Sequence, residues 1–239
     1  MSTFFDKCEE LDFEDIDWKS YFFAECSRLA YHDGTRAKRH FKKIGFTTYK
    51  FFDVEGAQCH VAQNKDVTVI AFRGTEPKEF SETEIDKLWA DISVSLQRLG
   101  KRKLYLCGHS LGAAMATICA SRLELQVEEL YTYGSPRVGG KEFVNNCLVD
   151  HYRFVNNNDM VAKVPFWIMG FRHHGYVKYI NHYGNIRELT AWQKFKDQVR
   201  GRWAALRNFQ MFDGIRDHDI AKYSNKLNVM VKIEPSFEE

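Results

Sequence analysis

The sequence predicts an α/β fold, with a central, mostly parallel sheet and helices on both of its faces. Three observations carry that expectation. Strand-like and helical segments alternate through the middle of the chain, which implies parallel pairing through crossover helices. A β-branched run, Val67–Phe72, ends abruptly at Arg73-Gly74-Thr75. A short apolar strand, Lys103–Cys107, passes through one tight turn into a helix built almost wholly of small residues.

Taken in order, apolar residues at helical spacing (Trp18, Phe22, Leu29, with Phe23 and Cys26 between them) predict a helix over Trp18–Tyr31. Strands follow at Thr48–Val54, Cys59–Ala62 and Val67–Phe72. Ser81–Gly100 reads as an amphipathic helix that presents Ile85, Leu88, Trp89, Ile92, Leu96 and Leu99 on one face. Ser81-Glu82-Thr83-Glu84 is a capping-box pattern at its start, and Gly100 closes it. After the strand Lys103–Cys107, the run from Ala113 to about Leu125 has high helix propensity. A strand at Glu129–Tyr133, a helix near Lys141–Leu148 and a strand at His151–Val155 come next. Phe166–Ile186 looks like irregular loop and β structure, whereas Thr190–Phe209 and Asp217–Lys226 look helical.

The bulk properties narrow the function classes. With 239 residues, 44% of them hydrophobic, one core suffices, and no repeat or linker interrupts the chain, so residues 1–239 are expected to form a single domain. A net charge of +2 favours neither nucleic acid nor strongly acidic partners. Six acids lie within Glu9–Asp17 and five bases within Arg36–Lys43, and each run reads as a solvated face. The first residues lack the basic start, apolar stretch and small-residue cleavage site of a secretory signal. No apolar run is long enough to span a bilayer. The cysteines are scattered without metal-type pairing, Cys107 and Cys119 reading as small buried hydrophobes. These features together predict a cytoplasmic setting.

The chemistry is concentrated at Gly108-His109-Ser110-Leu111-Gly112. A serine set in a strained strand-to-helix turn has its hydroxyl lifted out of the sheet, and glycines two positions to either side remove clashes with the adjoining elements. The helix N-terminus behind it favours a developing oxyanion. Ser110 is therefore the candidate nucleophile. His109 adjoins it, but consecutive side chains diverge, so His109 reads as a packing residue rather than a base.

A serine nucleophile needs a general base, and that base needs an orienting carboxylate. In this architecture the order along the chain is serine, acid, histidine. Asp159 follows the strand His151–Val155 and is the candidate acid; Asp150 precedes that strand and so lies at the wrong end of the sheet. For the base, His218 competes with His173, His174 and His182. Leu111 N–H is a candidate oxyanion donor, and Thr75 a second one, although an ordinary glycine turn with a capping threonine explains Arg73-Gly74-Thr75 equally well.

Several blocks in this order resemble the class 3 lipase family, the fungal-type triacylglycerol lipases and their bacterial and plant relatives, within the α/β-hydrolase fold. They are Ile70–Thr75, Leu106–Ala114, Tyr133–Gly139, Arg153–Asn156 with Asp159, and Asp217-His218 with Tyr223. The resemblance implies an acyl-ester hydrolase with Ser110, Asp159 and His218 as its triad and Thr75 and Leu111 as oxyanion donors. It also implies that no cofactor or metal is needed, that the substrate is a lipid or small-molecule ester, and that His173-His174-Gly175 matches a non-catalytic segment. A phospholipase, an acyltransferase, a feruloyl-type esterase and a non-catalytic binding protein on the same scaffold stay open, because pocket shape decides substrate.

One departure from the family pattern stands out. Glu76–Phe80 leads almost directly into the helix at Ser81, which leaves no room for a conventional lid helix. A basic, aromatic stripe at Trp192, Phe195, Val199, Trp203, Leu206 and Phe209 is expected to pack on the sheet, with transient contact to a lipid surface as the alternative.

Overall fold

The computed structural model describes residues 4, 7–8, 14–74, 82–97, 102–123, 127–181, 183–186, 193 and 217–232. Helix α1, Ile16–Leu29, starts at Asp15, whose carboxylate accepts the Asp17 and Trp18 N–H groups at 2.9 and 3.3 Å. Helix α2, Gly34–Lys43, is capped in the same way by Asp33. This second helix was not foreseen from the sequence. Its apolar stripe is only Ala37 and Phe41, four residues apart and both buried, while the bases of the Arg36–Lys43 run point outward as a solvated face. Such a narrow stripe is hidden by the charge around it.

The sheet has seven strands whose spatial order repeats their order along the chain: β1 Thr48–Val54, β2 Ala57–Gln63, β3 Val67–Phe72, β4 Lys103–His109, β5 Val127–Tyr133, β6 His151–Asn156 and β7 Tyr176–Ile180. The first three pair antiparallel and the rest run parallel from β3 to β7. This is the mostly parallel sheet the sequence predicted. β7 is the regular part of the Phe166–Ile186 stretch.

Alternation along the strands divides the core in two. Val67, Val69 and Ala71 of β3 join Tyr105, Cys107, Tyr131 and Tyr133 under one layer, which holds α1, α2 and the last helix α6, Ile220–Val231. Ile70, Phe72, Leu104, Leu106 and Leu130 face the other layer. There helix α3, Glu82–Gln97, contributes Leu88, Ile92 and Leu96, and helix α4, Leu111–Arg122, contributes Met115, Ala116 and Cys119. A short helix α5, Lys141–Asn146, links β5 to β6. Helices therefore cover both faces. Thr190–Phe209, apart from Gln193, lies outside the described residues, and with it the basic aromatic stripe.

Helix α1 organises the first layer. Its Phe23 ring stacks on Tyr105 and Tyr131, with centroids 5.2 and 4.5 Å away. Lys19 pairs with Glu129 of β5 at 2.7 Å, and Glu25 accepts a hydrogen bond from Ser224 of α6. The helix thus ties the sheet to the C-terminal helix. Phe23→Ala is expected to lower stability by about 3–5 kcal/mol, because a large aromatic is deleted from a closed core. Lys38→Ala, on the exposed face of α2, is expected to change it by less than about 0.5 kcal/mol. Urea unfolding of the two variants checks the contrast.

Candidate active site

At the carboxyl end of β4 the chain turns through Ser110 and enters α4. Ser110 takes φ 58°, ψ −128°, a conformation that L-residues rarely hold without a compensating structure. Compensation comes from close packing that only glycine allows. A Cβ on Gly108 would lie 2.4 Å from the Gly112 carbonyl oxygen, and one on Gly112 would lie 2.4 Å from that of Phe72. The Ser110 N–H donates to the Tyr133 carbonyl of β5 at 3.0 Å, which holds the turn over the centre of the sheet.

Loops from the same end of the sheet and the start of α6 bring in the partners. His218 stands in the turn before α6, with Nε2 2.7 Å from the Ser110 hydroxyl. Its Nδ1 lies 3.1 and 3.0 Å from the two oxygens of Asp159, so Nδ1 carries the hydrogen and Nε2 accepts one from Ser110. Asp159 is fully buried. Its Oδ1 accepts the N–H groups of Val161 and Ala162 at 2.9 and 3.4 Å, and its Oδ2 accepts the Tyr223 hydroxyl at 2.6 Å. Burial, followed by the charge of Asp159, raises the Tyr223 pKa, so the phenol stays protonated and donates.

The structure brings Ser110, Asp159 and His218 together and sets aside the rivals it describes. His173 Nε2 lies 2.9 Å from the Ala162 carbonyl, and His174 is held by the Cys147 carbonyl and the ring of His151. His182 falls outside the described residues. The Leu111 N–H opens α4 and belongs to the groups a helix leaves without an internal partner. Thr75 lies outside the described residues. Its neighbour Gly74 packs so tightly that an added Cβ would meet the His109 carbonyl oxygen at 2.6 Å and the Ser110 Cβ at 3.2 Å.

His109 does more than pack. Its Nε2 donates to the backbone carbonyl of His218, and its Nδ1 accepts the Tyr31 hydroxyl at 2.7 Å. The residue that precedes the serine thus holds the backbone of the histidine that faces it. Burial, and then the nearby His218, lower the His109 pKa to about 3, so the ring stays neutral. Gly134, at φ 58°, was not assigned a role from sequence. A Cβ there would lie 2.6 Å from Asp159 Oδ2 and 2.8 Å from His218 Nδ1. The roles of Tyr31, Gly134 and Tyr223 depend on contacts made from far along the chain. Gly134 and Tyr223 fall within family-like blocks, which marked their positions but not their roles; nothing in the sequence signalled Tyr31.

Fold and site together define an α/β-hydrolase with a serine elbow. The profile of the lipase (class 3) family matches residues 78–169. Toxin TseL of Vibrio cholerae is 36% identical over 102 residues, 37% of this chain and 16% of the toxin. Secreted mono- and diacylglycerol lipase 1 of Fusarium solani is 41% identical over 76 residues, 30% of this chain and 23% of that lipase. Among solved structures, a mutant form of MDLA from Penicillium cyclopium matches with a TM-score of 0.56 at 20% identity, over 80% of this chain and 90% of that one. A fungal lipase–inhibitor complex matches with a TM-score of 0.57 at 21% identity, over 69% and 80%. Over residues 78–169, less than half of its length, the chain is similar to the class 3 lipase family. It spans less than a quarter of the length of the two curated relatives.

The cytoplasmic setting expected from the sequence is overturned by these relatives, since those from Fusarium solani and Penicillium cyclopium are secreted lipases. The physical reason lies in the cysteines. All six are unpaired and buried, so their state reflects packing rather than the redox poise outside.

Gly134→Ala is expected to separate the imidazole from the carboxylate and to slow fluorophosphonate labelling of Ser110 by at least about tenfold, because the new methyl occupies the space of their hydrogen bond. A second expectation concerns acid. His109 titrates at about 3 and His60 at about 4, both below the ordinary 6.5, mainly through burial. The unfolded chain therefore binds more protons at these sites, and stability rises with pH. It is expected to be fully present above about pH 6.5 and to fall progressively toward pH 3–4. His109→Gln should flatten part of that slope in urea unfolding measured across the range.

Proposed function

We propose that the protein is a serine carboxylic ester hydrolase of the lipase or esterase type, acting on acylglycerols or related acyl esters. The observation that carries this is the unbroken hydrogen-bond chain from Ser110 through His218 to Asp159. Ser110 Oγ attacks the ester carbonyl carbon while its proton passes to His218 Nε2. Negative charge gathers on the former carbonyl oxygen, where the Leu111 N–H, the dipole of α4 and Thr75 stabilise it. Collapse of that intermediate breaks the bond to the alkoxy oxygen, and His218 returns its proton to the leaving alcohol. The product is an acyl ester of Ser110.

Water then attacks the acyl-serine as His218 takes one of its protons. The second collapse releases the acid and restores the serine hydroxyl. Asp159 holds the imidazole in the required tautomer and stabilises its charged form in both halves of the cycle. The names of the fungal relatives, mono- and diacylglycerol lipases, favour an acylglycerol substrate. Short spacing between β3 and α3, nine residues from 73 to 81, supports the absence of a lid helix. We further infer a single domain spanning residues 1–239.

Ser110→Ala is expected to abolish fluorophosphonate labelling and to cut kcat for a soluble p-nitrophenyl ester on the order of 10⁴-fold or more. Asp159→Asn is expected to cost about 10⁴ through the wrong imidazole tautomer. Undiminished hydrolysis after Ser110→Ala would refute the proposal. For the missing lid, kcat is expected to stay level as substrate passes its solubility limit, and a step in kcat at that point would contradict it.

A further inference from the structure

Beyond the triad, the described surface carries an apolar knuckle. Phe166, Trp167, Ile168 and Met169 are consecutive in the chain and 61%, 65%, 78% and 64% exposed. Met160 and Val164 extend the same exposed apolar stretch toward Asp159. Four large apolar side chains held in water are costly at about 25 cal/mol for each Å² that could be buried. Isolated exposed apolar residues are ordinary, but a contiguous group marks a contact surface.

The knuckle is braced by hydrogen bonds. The Arg137 guanidinium donates to the Lys163 carbonyl and, at 2.8 Å, to that of Pro165. The Arg172 guanidinium donates to the Trp167 and Phe171 carbonyls at 2.7 and 2.9 Å. Within the turn, the N–H groups of Met169 and Gly170 donate to the carbonyls of Phe166 and Trp167 at 2.9 and 3.0 Å. The Arg172 N–H closes its base on the Gly139 carbonyl at 2.7 Å. Much of the backbone polarity at the tip is thus satisfied internally, which is what entry into an apolar medium demands.

Charge selects the medium. From Met160 to Ile186 the sequence has no Asp or Glu and carries Lys163, Arg172 and Lys178. The segment packed against it, Ser135–Gly140, adds Arg137 and no acid. A collar of one sign opposes face-to-face docking of two copies through this knuckle and favours a surface of the opposite sign. Trp167 also belongs to the residue type that settles at the boundary between headgroup and acyl chain.

We infer that the Phe166–Met169 knuckle docks this protein on anionic lipid surfaces, with its four apolar side chains inserted and its basic collar on the headgroups. The loop leaves the carboxyl end of β6, the end at which Ser110 stands, and the Val161 and Ala162 N–H groups bind Asp159 directly. Docking would therefore supply the ester of the proposed reaction from the lipid surface, and in that respect it rests on the proposed function. It raises the local concentration of substrate, so it acts on the apparent KM and leaves kcat unchanged.

Partition into vesicles tests the inference without catalysis if every protein carries Ser110→Ala. Phosphatidylcholine vesicles containing phosphatidylglycerol are expected to bind this background, and to bind it less as salt is raised. Adding Phe166→Ser, Trp167→Ser and Ile168→Ser together should weaken partition by at least about tenfold, with the far-UV circular dichroism unchanged. Equal partition of the two proteins would overturn the inference. So would failure of the background to bind vesicles, or a dimer in ultracentrifugation that the three serines abolish while vesicles remain unbound. Absence of ester cleavage by the unmutated protein would count against the proposed function alone and leave the partition result standing.

Discussion

A carboxylate without any water contact is the constraint around which this site is arranged. Leaving Asp159 charged and unpartnered in the interior would cost several kcal/mol even after relaxation. The structure answers with hydrogen-bond donors rather than with a lysine or arginine: two backbone N–H groups, the Tyr223 hydroxyl and His218 Nδ1. Those donors come from the loop after β6, from α6 and from the turn before it. Satisfying one charge therefore fixes three pieces of chain relative to each other, and the imidazole is aimed at Ser110 as part of that fixing.

The second half of the arrangement is steric. Ser110 keeps its unusual backbone angles because Gly108 and Gly112 let strand, turn and helix approach to distances no side chain would tolerate. Gly134 serves the acid–base pair in a similar way, leaving room where any Cβ would crowd both Asp159 and His218. His109 joins the two halves, since it ends the strand that leads into Ser110 and holds the His218 carbonyl. Its low pKa follows from burial and keeps it a neutral strut while its neighbour exchanges protons.

The layers outside the site explain why these pieces stay in register. Helix α1 lies against β4 and β5 through Phe23 and Lys19, and it reaches α6 through Glu25 and Ser224. Packing far from the chemistry thus sets the height of the turn that carries His218. The basic segment after Asp33, a solvated face in the sequence, is the outer side of a helix whose inner side adds Phe41 to this same layer.

The linear sequence by itself determined the mostly parallel sheet, and it pointed to the turn at Ser110 and to the carboxylate of Asp159 at the same end of that sheet. Each of these rests on local pattern: strand and helix periods, glycine spacing, and a carboxylate placed just after a strand. It left the base open among His218, His173, His174 and His182, and only family likeness separated them, because a histidine's neighbours along the chain do not reveal what its ring touches. It also missed helix α2, the strut made by His109 and Tyr31, and the clearance at Gly134. Tertiary structure alone decided these: the stripe of α2 is too narrow to show through its charges, and the strut and the clearance depend on contacts between segments 25 to more than a hundred residues apart, which no local period encodes.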